Sequence, residues 1–503
     1  MTERKALWLG VAAAVAVVAS VLIMLITAFG GPNVSQPAVH GAAHPPWSHP
    51  LHLSAATTIL LMWVALIIGC AGLLAGLFAV RHGFRVPIAI VLGFAFVVVA
   101  LLTVAPPAGS TDAMSYAANG RMAVIGHSPY VMTPAQLKGI GDPIGLQLSI
   151  PSLWNNTVSI YGPVATGAEW IAAKLGGTSL AHIVFWLKLL ESLCFGVVAC
   201  VLDRMLRRDP AMRLRAHLLW TVNPLLLWEI VASGHIDGLA AMFGLLGIVV
   251  LRRSLSPSSA AVAGVCIALA SGVKVEYALF GLAVAWACRR SVPALAAAAA
   301  GFAVITLPAY LLAGTPAVKV LFTRGGGITS DTMYQLFWRP VLGYTQFNVN
   351  NVPPHLVVIS YVLFAAVAIL ALLRLPDRAP EFPAVTPALG LSLAWLFITG
   401  FQRPWYDVMA LSLLALYMAS LLDWVVLIRL LAAGTVYVAA LAVPAKPHWL
   451  NDVYQFNQAW LAPVILLLAA IALVWMCVTR YPQEGIVDSA PDNVAGSKLP
   501  LAT

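Results

Sequence analysis

The sequence predicts an all-α fold, a polytopic transmembrane helix bundle of about 12–14 spans whose extracytoplasmic loops carry short interfacial helices. Three observations predict it. Of 503 residues, 61% are hydrophobic and 9% are charged, where a soluble domain carries about 25% charge and could not cover itself with less. About fourteen apolar runs cross the length of a membrane helix. Lys and Arg collect in short clusters between those runs, as topology signals do, rather than in the continuous stripe that nucleic acid selects. The net charge of +9 therefore implies no nucleic-acid partner.

Taken in order, the candidate spans run roughly over 7–28, 55–80, 86–105, 181–203, 215–232, 238–251, 258–273, 276–288, 293–313, 356–373, 385–400, 408–422, 424–444 and 461–479. The first follows Arg4 and Lys5 and is long enough to span, with no small-residue cleavage pattern after it, so it reads as a helix rather than a signal peptide. Placing the N-terminus in the cytoplasm puts Arg81, Arg85, Arg204, Arg207, Arg208, Arg213, Arg215, Arg252, Arg253, Arg289, Arg290, Arg374, Arg378 and Arg480 on the cytoplasmic side. Arg429 is the exception, inside the thirteenth span.

The domain organisation follows. Residues 1–480 form one transmembrane domain, with a main extracytoplasmic segment at 106–179 and a second large one at 313–355. Residues 481–503 form a polar cytoplasmic tail expected to be disordered. Both termini are cytoplasmic on this threading, and the outer face of the plasma membrane receives nearly all the polar and aromatic loop sequence. The cysteines Cys70, Cys194, Cys200, Cys266, Cys288 and Cys477 lie in or at the ends of apolar segments, so neither a disulfide framework nor a zinc site is indicated. No fixed-period repeat or inverted symmetry is apparent.

Chemistry belongs on the polar face, because ionisable groups at the membrane are costly unless a function keeps them. Pro106-Pro107 stops the third span and presents Asp112, either as a helix cap or as a general base against an acceptor hydroxyl. Downstream lie Tyr116, Arg121 and Tyr130, at headgroup depth if the stretch is interfacial, with Arg121 either snorkelling or touching substrate. Tyr161 sits in a Tyr-Gly-Pro turn. Lys188 and Glu191, three residues apart in the fourth span, form either a neutralised pair or a site where Lys188 meets a lipid phosphate. Three short turns carry His235 with Asp237, Lys274 with Glu276, and Arg403 with Trp405, Tyr406 and Asp407, while Arg324 precedes a triple glycine. Lys274, Arg324 and Arg403 together make a cationic patch suited to a phosphate headgroup.

This arrangement resembles the C-type glycosyltransferase superfamily, polytopic enzymes that use lipid-phosphate sugars, and most of all the actinobacterial polyprenyl-phosphomannose-dependent α-mannosyltransferases. The resemblance rests on Asp112 to Tyr116, Ser128 to Tyr130, Ser159 to Pro163, Asn223-Pro224, His235 to Gly238, Lys274 and Arg403 to Asp407. It implies transfer of a mannosyl residue from polyprenyl-phosphomannose to a glycolipid or lipoglycan acceptor at the outer face, with inversion and Asp112 as base. Many superfamily members carry two acidic residues in the early loop, whereas Asp112 here stands between Thr111 and Ala113. Mg²⁺ favours more than one carboxylate, so no metal or other cofactor is expected. The basic residues would stabilise the leaving phosphate, and Trp405 and Tyr406 either stack on sugar faces or anchor the interface. The rival readings are the same fold with a polyprenyl-phosphate arabinose or glucose donor, and a membrane transporter or lipid flippase with broken helices.

Overall fold

The computed structural model describes residues 2–36, 39, 44–149, 152–252, 255–323, 327–329, 331–337, 352, 354–440 and 447–479. Arg324 and the expected tail at 481–503 lie outside the described residues. Among the described residues all regular structure is helical. The principal helices are α1 (Glu3–Phe29), α2 (Ala55–Arg81), α3 (Ile88–Val104), α4 (Asp112–Val124), α5 (Pro163–Gly176), α6 (Leu180–Leu206), α7 (Pro210–Leu219), α8 (Asp237–Val249), α9 (Pro257–Val273), α10 (Ala278–Cys288), α11 (Val292–Ala313), α12 (Pro354–Arg374), α13 (Val385–Ile398), α14 (Leu422–Ala440) and α15 (Ala462–Thr479). Six described helices are long and apolar enough to cross a membrane, or seven when one bent pair counts as a span, and four more apolar helices are shorter. The chain is a multi-pass membrane protein.

Among the described residues each expected span contains helix, and local chemistry sets many of the ends. Ser54 accepts a hydrogen bond from the Thr57 amide at the start of α2, and Ser256 and Ser259 form a reciprocal cap at the start of α9. Two expectations are corrected. The expected spans at 215–232 and 238–251 are one bent unit, α7 with its π-helical continuation and α8 turning by 118° at the break between Ala232 and Asp237. The expected span at 408–422 is a helix only over Val408–Leu414. It stops because Arg215 takes the carbonyls that end it. Its guanidinium donates to Leu414, Ala415 and Tyr417 at 3.0, 3.4 and 2.9 Å and pairs with both oxygens of Asp423 at 2.8 and 2.5 Å. Arg215, expected as a cytoplasmic topology signal, is thus a buried tie between α7 and α14.

Arg429 also finds its reason. It is fully buried in α14, ion-paired with the equally buried Asp407 and bonded to Gln402 Oε1 at 2.7 Å. A charge inside an apolar helix is tolerated when a counter-charge is brought to it. The turn at Arg403–Asp407 is thereby fastened to α14.

Candidate active site

Five chain segments meet at one end of the bundle. They are the α3–α4 connection, the turn before α5, the corner between Ala232 and Asp237, the end of α9, and the turn at Arg403–Asp407. Helix α6 positions the first and third of them with a single turn of helix. Pro106 and Pro107 have no amide hydrogens, so the last carbonyls of α3 lack their usual partners. Lys188, buried, donates to Leu102, Ala105 and Pro106 carbonyls at 2.6, 2.6 and 3.2 Å. One turn on, Glu191 Oε2 accepts from the Leu239 amide at 3.0 Å, in the first turn of α8. A cation meets a helix C-terminus and an anion meets a helix N-terminus, each favoured by the helix dipole. Both sequence readings of Lys188 are corrected: it forms no ion pair with Glu191 within 4 Å, and its donors are turned to backbone rather than to a lipid phosphate.

Asp112 is the first residue of α4, after an N-cap Thr111 whose side chain caps nothing. No hydrogen bond from a helix amide to the Asp112 carboxylate occurs among the described residues, so its oxygens are not engaged in capping. Its side chain is 16% exposed, and Oδ2 lies 3.7 Å from His235 Nε2. Burial pushes the carboxyl above the usual range, while the charges of Lys274 and Arg403 and the hydroxyls of Ser110 and Tyr116 pull it back.

Around it stands an aromatic wall. Tyr161 donates to the Tyr116 hydroxyl at 3.4 Å, with the rings edge to face at 5.2 Å. Trp405 stacks on His235 with centroids 3.8 Å apart and meets Tyr437 edge-on at 4.9 Å. Tyr437, on α14, contacts the Ser110 hydroxyl at 3.3 Å. The turn holding Tyr161 comes this close to α9 because Gly162 carries no side chain. A Cβ there would lie 2.2 Å from the Gly272 carbonyl oxygen.

The charges sort unequally. Lys274 donates to Asp237 Oδ1 at 2.9 Å, and its ammonium sits 4.4 Å from the Tyr406 ring centroid and 5.6 Å from that of Tyr161. It is therefore largely neutralised. Arg403 has no carboxylate within 4 Å among the described residues; its guanidinium lies over Phe401 and Tyr437 at 4.9 and 5.9 Å. Glu276 is half-buried in the turn after Lys274.

Several expected site residues lie elsewhere or do other work. Arg121 is nine residues along α4, about 13 Å from Asp112 at 1.5 Å per residue, and holds Asp142 at 2.8 Å. Asp142 in turn accepts from the Ile144 and Gly145 amides, so Arg121 fastens a loop. Tyr130 bonds Thr166 at 2.8 Å and packs with Ala317 and Val320 in a separate cluster. Asp407 is the fully buried partner of Arg429. Trp405 and Tyr406 are buried, which removes the interfacial-anchor reading of both. Helix α4 is likewise buried along most of its length rather than exposed in the interface. Sequence reasoning missed Tyr437, which no motif marks.

A family model described as alpha-(1->6)-mannopyranosyltransferase, N-terminal domain, of the MptA_B family, matches residues 4–290. The chain belongs to this family. Among curated proteins it is similar to a probable alpha-(1->6)-mannopyranosyltransferase of Mycolicibacterium smegmatis, 33% identical over 145 residues, covering 29% of this chain and 25% of that one. It is also similar to an alpha-(1->6)-mannopyranosyltransferase of Mycobacterium tuberculosis, 30% identical over 154 residues, covering 31% and 26%. The alignments thus span about a quarter of each relative's length. The family match covers Asp112, His235 and Lys274, whereas Arg403 to Asp407 lie beyond it.

Proposed function

We propose that this protein is a membrane α-mannosyltransferase that moves a mannosyl residue from polyprenyl-phosphomannose to a hydroxyl of a glycolipid or lipoglycan, making an α-(1→6) bond at the outer face of the plasma membrane. The observation that carries the reading is the placement of Asp112. Its carboxylate is free of capping duty, half-enclosed by aromatic side chains, and shares its pocket with Arg403, which has no carboxylate within 4 Å among the described residues. Family membership supports the sugar and the linkage, and the arginine clusters support the sidedness.

In the proposed reaction the acceptor oxygen attacks the anomeric carbon from the face opposite the phosphate. The new C–O bond forms as the C1–O bond to phosphate breaks, inverting the centre, and Asp112 takes the hydroxyl proton. Arg403, whose planar fork matches two phosphate oxygens, stabilises the charge that grows on the leaving polyprenyl phosphate. Lys274 contributes less to that charge because Asp237 already balances it. Half-buried Tyr161 presents its ring and hydroxyl to the sugar, backed by the fully buried Tyr116 that its hydroxyl bonds. The chain's own residues supply a base, a phosphate partner and a dry wall; the expectation that no metal takes part remains a proposal.

The test is transfer of label from polyprenyl-phosphate [14C]mannose to a mannosylated lipid acceptor by purified protein, with arabinose and glucose donors alongside. Asp112→Asn keeps size and helix start, and should reach the membrane in normal amount, bind donor and lose about a hundredfold in transfer. Transfer close to wild type would remove Asp112 as base, and label moving from another sugar instead of mannose would overturn the donor.

A further inference from the structure

His235 is held by two independent contacts, and its other ring nitrogen faces Asp112. The π-helical segment Leu227–Ala232 ends with the Ser233 amide on the Trp228 carbonyl and the Gly234 amide on the Ile230 carbonyl, so the register skips the carbonyl of Glu229. His235 Nδ1 takes it at 2.5 Å. A carbonyl oxygen only accepts, so Nδ1 carries the proton and Nε2 presents a lone pair. Trp405, stacked on the ring at 3.8 Å, prevents the imidazole from turning. Nε2 is buried, has no hydrogen-bond partner among the described residues, and points at Asp112 Oδ2 across 3.7 Å.

Two acceptors facing one another repel while both are unprotonated, and 3.7 Å is too long for a hydrogen bond. Protonation of Asp112 changes the sign of the interaction, because a carboxylic acid donates to an imidazole lone pair. The carboxyl is untied to any helix amide and needs to move by only about 1 Å to reach hydrogen-bond distance. We propose that His235 is a positioning residue that stabilises the protonated state of Asp112, making Asp112 a stronger base and holding the proton away from the newly formed glycosidic oxygen. This rests on the reading of Asp112 as the base.

The proton balance is closed within the pair. The acceptor O–H breaks, its proton passes to Asp112 Oδ2, and that O–H then donates to His235 Nε2 without transfer. The imidazole stays neutral because it is buried beside the Lys274 charge, where a second positive charge is costly. The other charged and titratable groups facing Asp112 are Lys274 and Arg403, which favour the carboxylate, and Asp237, Tyr116, Tyr161 and Tyr437. Against those two cations, the His235 lone pair is the opposing influence that a substitution can remove without changing charge.

The experiment is a pH profile of kcat/KM for acceptor in wild type, His235→Phe and His235→Gln. His235→Phe keeps a flat ring on Trp405 and loses the lone pair; His235→Gln offers an amide that can donate to the carboxylate. A group whose pKa is lowered loses its proton at lower pH, so the acid limb should move down by about half a unit or more in both, with the plateau about tenfold lower. An acid limb that stays in place in both variants overturns the proposal, whatever the rate. Wild type gives a reading that needs no His235 variant: on acidification, the infrared carboxyl band absent from Asp112→Asn should appear at the lowered frequency of an acid bonded to nitrogen. A band at the position of a free carboxyl would also overturn it. If Asp112→Asn transfers normally, the base reading falls and this inference with it; if Asp112→Asn is inactive while the limb is unmoved, this inference alone falls.

Discussion

Replacing Lys188 with Met keeps the length of the stem and removes the ammonium that ends α3. Three buried carbonyls, those of Leu102, Ala105 and Pro106, lose donors at 2.6, 2.6 and 3.2 Å. Leu102 cannot recover one locally, because the residue four positions on is Pro106. A stranded buried acceptor costs about 1–3 kcal/mol, so the gross loss for three is on the order of 3–9 kcal/mol. Relief from desolvating the ammonium offsets part of this, leaving a net loss of about 2 kcal/mol or more. Thermal unfolding of the detergent-purified protein, followed by fluorescence-detected size exclusion, should show a midpoint lower by about 2 °C or more. Donor affinity of the surviving fraction should be near normal while turnover falls, because Asp112 is displaced while Arg403 stays in place to hold the phosphate. An unchanged midpoint with weakened donor binding would refute the reasoning and return Lys188 to a lipid phosphate.

Two further outcomes test the frame around the site. Arg429→Met leaves Asp407 buried and unpaired, which costs about 3–5 kcal/mol, so yield of folded protein should collapse; Arg429→Met combined with Asp407→Leu should recover much of it, measured as monodisperse protein after extraction. The proposed sidedness is tested by thiol labelling in a cysteine-free background: His127→Cys should react in intact cells and Arg207→Cys only after permeabilisation, and the reverse pattern would invert the protein in the membrane.

The fold was legible wherever composition alone decides. Apolar length gives the helices, and serine or proline at their starts gives many boundaries. What could not be read was how a run ends when a distant side chain ends it. Arg215 stops Val408–Leu414 across about 200 residues of sequence, and Lys188 completes a helix that two prolines left open. The site was legible as a set of turns, since Asp112, His235, Lys274 and Arg403 each stand out from apolar flanks, and the structure brings all four to one end. Their partnerships were not. Lys274 and Arg403 look alike in the sequence, yet a carboxylate neutralises one and not the other. Asp407 looks like a second site carboxylate, and only a buried arginine in α14 shows otherwise. The fixed tautomer of His235 depends on a skipped carbonyl in a π-helix, and a skipped hydrogen bond leaves no trace in composition.

Lys188 and Glu191 stand three residues apart on α6, a rise of about 4.5 Å, and each grips a different loop. Bilayers vary in thickness, and a long helix answers by tilting. When α6 tilts, the segment that carries Asp112 and the corner that carries His235 are pulled together as one piece, because both are tied to the same turn of the same helix. The separation of carboxylate and imidazole is thus referenced to the pitch of α6 rather than to the lipid, and a change of acyl-chain length leaves it intact.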